Sequence, residues 1–200
     1  MRKPDRAVVL PVLLTVATLG GASVAMSVAQ GGGPGAAVAK LRGPGGDRVG
    51  TASFKQRGDV VKVTVRAGGL APGFHGFHAH ETGLCAAPSS AEGETGAFLS
   101  AGGHFARGSQ IHGEHAGDMP PLFADDDGNV RATFTIDSFK VGALTAGDGS
   151  AVMIHADPDN AANIPKRYKS SDGGRRGPDL DTRETGDSGD RAACGVVQAR

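Results

Sequence analysis

The chain reads as an all-β domain with long, turn-rich loops. Three observations predict this. Glycine supplies 33 of the 200 residues, with 11 prolines, so glycine usage is about twice the average. There is no tryptophan, one tyrosine, and no long run with helical period. Several short segments alternate apolar and polar residues, the period of a half-buried strand.

The N-terminus is set apart from that domain. Arg2, Lys3 and Arg6 precede an apolar run from Ala7 to Leu19, and small residues recur at Ser23-Val24-Ala25 and Ser27-Val28-Ala29. This is the pattern of a signal peptide over residues 1–29. The run is short for a spanning helix, which needs about 20 residues; an uncleaved anchor is the alternative. Residues 30–36 (Q-G-G-G-P-G-A) form a flexible linker. Residues 37–200 make one domain of ordinary size, able to bury a real core.

The strands follow in order. Val49 to Lys55 is the first. Asp59 to Ala67 alternates, with Val61, Val63 and Val65 on one face and Lys62, Thr64 and Arg66 on the other. Gly76 to His80 comes next. Val130 to Asp137 turns Val130, Ala132, Phe134 and Ile136 inward, and Ala151 to Ala156 closes the set. Arg57-Gly58 and Asp127-Gly128 are hairpin turns ahead of two of these strands. Two irregular stretches remain, Glu81 to Pro121 and Asp157 to Asp190. Loops that long in a small domain carry function or are disordered.

Charge and cysteine usage narrow the partners. Lys plus Arg and Asp plus Glu each total 21, so the formal net charge is zero. Nothing suggests a nucleic-acid partner, and no aromatic residues interleave with the basic ones. Export implies an oxidising compartment, where the only cysteines, Cys85 and Cys194, are an even pair. They are available for one bridge, as free thiols, or as zinc ligands.

The seven histidines all lie between residues 75 and 155. His78 and His80 are two apart, which puts both imidazoles on one strand face with Phe77 and Ala79 on the other. His104 stands in the first long loop, as do His112, His115 and Asp118 in H-G-E-H-A-G-D. His155 stands in the Ala151 to Ala156 strand, opposed to Val152 and Ile154. Six imidazoles and a carboxylate exceed the needs of one four-coordinate ion, so the spacing predicts two neighbouring metals. His75 lies on the opposite strand face and reads as a structural hydrogen-bonding residue.

The strings G-F-H-G-F-H-A-H-E, S-A-G-G-H-F, H-A-G-D, H-A-D-P-D-N and G-D-S-G-D-R-A-A-C-G-V-V occur in that order over about 160 residues. Together they resemble the copper/zinc superoxide dismutases. The resemblance implies a Greek-key β-barrel or flattened sandwich of about eight antiparallel strands. It implies copper ligation by His78, His80, His104 and His155, and zinc ligation by His104, His112, His115 and Asp118. His104 bridges the two metals and serves in catalysis with Arg191, which guides the superoxide anion. Asp159 links the two sites through their ligands, Thr185 lies at the channel mouth, and Cys85 and Cys194 match the disulfide pair. An extracellular or cell-envelope location, membrane-anchored if the leader is retained, follows as an expectation; a homodimer is one assembly open to the chain, but the oligomeric state does not transfer from the family. No membrane-spanning partner is implied.

The chain departs from the family's usual pattern at several points. Only two residues separate His112 from His115, which pares down the zinc subloop. Glu184 stands where many relatives carry a steering lysine. The segment from Cys85 to His104 is longer than in eukaryotic relatives, and Ala106-Arg107 replaces an asparagine-proline pair. Between Asp157 and Asp190, eight acidic residues face six basic ones. Two further readings fit these residues: a copper-buffering protein on the same scaffold, and a copper-only dismutase.

Overall fold

The computed structural model describes residues 35–200 apart from Glu92, Gln110, residues 170–173 and Arg175. The signal-peptide segment and most of the linker lie outside the described residues. Eleven strands are described: β1 (Ala36–Arg42), β2 (Arg48–Arg57), β3 (Val60–Ala67), β4 (Gly73–His75), β5 (Phe77–His80), β6 (Ser89–Ala91), β7 (Glu94–Gly96), β8 (Leu122–Ala124), β9 (Val130–Ile136), β10 (Ala151–His155) and β11 (Arg191–Ala199). Two short helices join them, α1 (Val141–Leu144) and α2 (Leu180–Thr185).

Nine strands form one antiparallel sheet in the order β4-β8-β9-β3-β2-β1-β11-β10-β5. The two end strands, β4 and β5, are consecutive in the chain and separated only by Gly76. The sheet therefore curls until its ends meet, giving a nearly closed Greek-key barrel. Counting Gly73–His80 as one bent strand recovers the expected eight. The bend has a cause. Gly76 donates its N–H to the Asp157 carbonyl at 2.9 Å and accepts from His155 N–H at 2.8 Å. A Cβ at this position would meet Ser188 at 2.7 Å and the His78 ring at 3.1 Å, so only glycine admits the turn.

Alternation builds the core as predicted. Val61, Val63 and Val65 are buried and pack with Leu41, Phe54, Phe77, Leu122, Val152 and Ile154. Each fully buried side chain of this size contributes roughly 1.5–3 kcal/mol. The hairpin before β3 turns at Gly58-Asp59, one residue later than expected, and β2 runs to Arg57. β1 begins at Ala36, the end of the segment read as linker. Strands β1, β4, β8 and β11 and the small hairpin β6–β7 are additions to the sequence reading.

A second, smaller apolar cluster lies on the far side of the same wall. Phe98, Ala101, Ala151, Met153 and Cys194 pack together, with Cys85, Ala87 and Ala97 against them. Cys85 and Cys194 are joined in a disulfide with Cα atoms 5.7 Å apart. It ties the first long loop to β11. This cluster roofs part of β5 and β10, so every residue of both strands is buried on both faces.

Candidate metal centre

β5 and β10 pair antiparallel, with Met153 opposite His78 and Ala151 opposite His80. Phe77, Ala79, Val152 and Ile154 face the core, while His78, His80 and His155 face outward. The long loops cover that outer face, so the three imidazoles are buried although they stand outside the barrel wall. His104 reaches them through an isolated bridge with His80, and Asp118 makes the same contact with His78.

The predicted residues converge in two overlapping groups. Ligand atoms of His78, His80, His104 and His155 lie within 4.8 Å of one another, as do those of His78, His104, His112 and Asp118. His115, expected in the second group, sits beside it. Its Nδ1 is 3.3 Å from Asp118 Oδ2, and its ring centroid is 5.4 Å from that of His104.

The inward nitrogens have no protein partner. His78 Nδ1, His80 Nε2, His104 Nε2, His115 Nδ1 and His155 Nε2 are buried without a hydrogen bond. Such groups are costly in a folded protein unless something else binds them. The opposite nitrogens of His78, His80 and His155 are held. His78 Nε2 lies 2.6 Å from Asp159 Oδ2, His80 Nδ1 2.9 Å from the Gly102 carbonyl, and His155 Nδ1 3.1 Å from the Gly189 carbonyl. Donation to these acceptors fixes the tautomer and leaves each unpaired nitrogen with a lone pair aimed inward. This donor set fits a copper ion, for which imidazole is a suitable ligand.

The second group fits zinc. The Nδ1 atoms of His104 and His112 are 3.2 Å apart, and Asp118 Oδ1 is 3.0 Å and 3.4 Å from them. Ligands at about 2.0–2.1 Å on a tetrahedron stand roughly 3.3 Å from one another. The short loop is organised around the carboxylate: Gly113 and His115 donate backbone N–H groups to Asp118 Oδ2 at 2.7 and 3.1 Å. That leaves Oδ1 facing the histidines. Two residues between His112 and His115 are thus enough to close the turn, with Gly113 at φ +87°.

Asp159 spans the groups. Its Oδ2 meets His78, while its Oδ1 meets His112 Nε2 at 2.8 Å. Gly186, at φ +70°, covers this bridge so closely that a Cβ would fall on both partners.

Electrostatics separate the two groups. Burial pushes His80 well below its usual range, helped by His104 and Arg191. Burial, with repulsion from His78, takes His155 down to about 3. Burial also outweighs the Asp118 hydrogen bond to hold His104 at about 4. For His112 burial pulls downward, but hydrogen bonds from Asp118 and Asp159 prevail and raise it to about 9. Both carboxylates, despite burial, are held well below the usual carboxylate range by these histidines.

Arg191 is half-buried beside the first group. Its guanidinium donates to the Phe98 carbonyl and to the Gly102 carbonyl, each at 2.7 Å. Gly102 is also the acceptor for His80, so one carbonyl couples the arginine to an imidazole. Glu81 clamps this turn: its Oε1 accepts from Gly103 N–H at 3.2 Å and its N–H donates to the Gly103 carbonyl at 3.1 Å. Sequence reasoning missed Phe98, Gly102, Gly189 and Glu81; three of them act through backbone carbonyls, which carry no side-chain signal. His75 is structural as expected, with ring nitrogens 2.7 and 2.8 Å from the carbonyls of His155 and Ala71. Thr185 is exposed near the end of α2, where its hydroxyl donates to the Asp181 carbonyl at 2.8 Å.

A barrel whose two ligand clusters share His78 and His104 defines a scaffold able to hold two neighbouring metal ions. The family model of copper/zinc superoxide dismutase matches residues 48–197. The chain is 41% identical over 164 residues to the Cu-Zn superoxide dismutase of Mycolicibacterium paratuberculosis, covering 80% of this chain and 72% of that protein. The Mycobacterium tuberculosis protein of the same name is 40% identical over 162 residues, covering 78% and 68%. Among solved structures, the Cu/Zn superoxide dismutase from Brucella abortus matches with TM-score 0.61 and 29% identity, over 82% of this chain and 99% of that one. The chain belongs to the copper/zinc superoxide dismutase family.

Proposed function

We propose that the protein is a superoxide dismutase that works outside the cytoplasm, with copper held by His78, His80, His104 and His155 and zinc by His104, His112, His115 and Asp118. The observation that carries this reading is the convergence of His78, His80, His104 and His155, each with a buried, unpaired imidazole nitrogen, beside a second group of His78, His104, His112 and Asp118. Bound copper supplies reversible one-electron exchange, so that two superoxide ions and two protons become dioxygen and hydrogen peroxide, while zinc supplies fixed charge and structure.

The chain's own residues do the rest. His104 faces the first group through Nε2 and the second through Nδ1, so it can hold a proton at Nε2 when that nitrogen is free of metal. Arg191, anchored by two carbonyls, presents a fixed positive charge to an incoming anion. Asp159 orients His78 and His112 together. The disulfide and the bacterial relatives support export, with residues 1–29 as the signal. A homodimer is the assembly we propose.

The test is metal content per chain followed by superoxide decay on the same sample. One copper, one zinc and rapid decay are expected. Full metal without decay would make this a copper-buffering protein; copper and decay without zinc would make it a copper-only dismutase.

A further inference from the structure

The outer face of the barrel over β1, β2, β3 and β9 carries cations and no anions. Pairing register places its residues in rows. Lys40 pairs Thr51, which pairs Arg66, which pairs Arg131. The next row is Val38, Ser53, Thr64 and Thr133; the third is Ala36, Lys55, Lys62 and Thr135. Arg57 extends the array beyond Lys55. Lys40, Lys55, Arg57, Lys62, Arg66 and Arg131 are all exposed. None of the four strands contains Asp or Glu. The neighbouring carboxylates stand in the turns at the strand ends: Asp47, Asp59, Asp125 to Asp127 and Asp137.

Two of the pairs set like charges directly opposite, Lys55 with Lys62 and Arg66 with Arg131. Such pairs destabilise a sheet, and a single glutamate in each would relieve them. Among the described residues none of these six cations makes a salt bridge, although the chain as a whole is neutral. Their countercharge is therefore sought outside the molecule.

We propose that this face docks on a lipid bilayer bearing anionic phosphate headgroups. The array is two-dimensional, about 15 Å across four strands and about 13 Å along them, which suits a planar partner better than a linear one. Its outward positions include no aromatic residue on which nucleic-acid bases could stack. They include no large apolar wedge either, so the contact is electrostatic and stays at headgroup level. The chain also enters the barrel here. Ala36, the first residue of β1, shares a row with Lys55 and Lys62.

The experiment sediments the full chain with vesicles of phosphatidylcholine alone and with about a quarter phosphatidylglycerol, at about 0.05 M and about 0.5 M salt. Binding to anionic vesicles should be about tenfold tighter, and the excess should vanish at high salt. The double variant Lys62→Glu/Arg66→Glu converts both like-charged pairs into opposite ones. It should lose that excess while melting at the same temperature or higher. If it does not fold, Lys62→Gln/Arg66→Gln serves instead. The N-terminal segment is common to all chains, so the difference between them reads the face alone. Equal binding to both vesicle types, or undiminished binding by the folded variant, would overturn the proposal. Salt-sensitive binding to soluble polyphosphate without vesicle binding would overturn it in favour of a linear polyanion.

Discussion

The two ligand clusters share His78 and His104 but are built on opposite principles. The first stands on paired strands β5 and β10 with His104 beside them, and burial pushes His80, His104 and His155 below the usual histidine range. The second hangs on the seven-residue segment from His112 to Asp118, and two carboxylates hold His112 charged at neutral pH in the metal-free chain. At neutral pH a metal entering the first displaces no proton from His80, His104 or His155; one entering the second must expel the His112 proton. Strand geometry thus presents a ready site for an exchanging metal, whereas loading of the loop site is coupled to loss of the His112 proton.

The largest test of this contrast is ligand removal. His78→Ala or His155→Ala should take superoxide decay to background while circular dichroism still reports a folded barrel. His112→Ala should lose zinc yet retain copper and part of the activity. Equal loss in all three would erase the distinction between the clusters. Removal of the tie between them is next. Asp159→Ala should weaken metal affinity about 10–100-fold, measured by competition with a chelator, and should act on both metals, because one carboxylate orients His78 and His112 together.

The disulfide separates stability from site geometry. It closes a loop with sequence separation 109. Cys85→Ala/Cys194→Ala should cost about 4–5 kcal/mol on the chain-entropy account, or roughly 10–20 °C in melting temperature. Because Phe98 and Gly102 hold Arg191, the same variant should also slow superoxide capture. A lowered melting temperature with an unchanged rate constant would show that the anchors of Arg191 survive without the bridge.

The metal-free chain gives the contrast a pH signature. Stability rises with pH wherever the unfolded chain binds more protons. Between about pH 4 and 6.5 the unfolded chain protonates His104 and His155 while the folded chain does not, so stability climbs. From about 6.5 to 9 the folded chain keeps the His112 proton that the unfolded chain has lost, so stability falls. Melting of the chelator-treated protein should peak near neutrality, and His112→Ala should flatten the alkaline side alone. An alkaline decline that survives in the variant would remove His112 as its source.

The first cluster was legible because it is local. F-H-A-H on a strand dictates a common face, and His155 opposes two core residues by the same alternation. In the second, the sequence brought out His104, His112 and Asp118, but neither the place of His78 in the group nor its construction was legible, since the turn depends on backbone N–H groups bonding Asp118. β1 (A-A-V-A-K-L-R) and β11 (R-A-A-C-G-V-V-Q-A) were missed for another reason. Their small residues show little contrast between faces, and β11 is largely buried between β1 and β10. The break at Gly76 depends on Asp157 and Ser188, far along the chain, so no local pattern announces it.

The smallest effect concerns long-range guidance. Arg191 is half-buried and held by two carbonyls, so its charge acts at short range on an anion already in the cleft. Arg191→Ala should lower the second-order rate constant about tenfold or more, at low and moderate salt alike. Glu184 is exposed on α2, where its field is screened beyond about 10 Å at 0.1 M salt. Glu184→Lys should raise the rate only about twofold, and the gain should shrink as salt is added. Stopped-flow decay across a salt series distinguishes the two. A Glu184→Lys gain that persists at high salt would mean that this side chain meets the substrate directly. Loss of the Arg191→Ala effect at moderate salt would make the arginine one more screened surface charge. Catalysis would then rest on the strand-borne cluster alone.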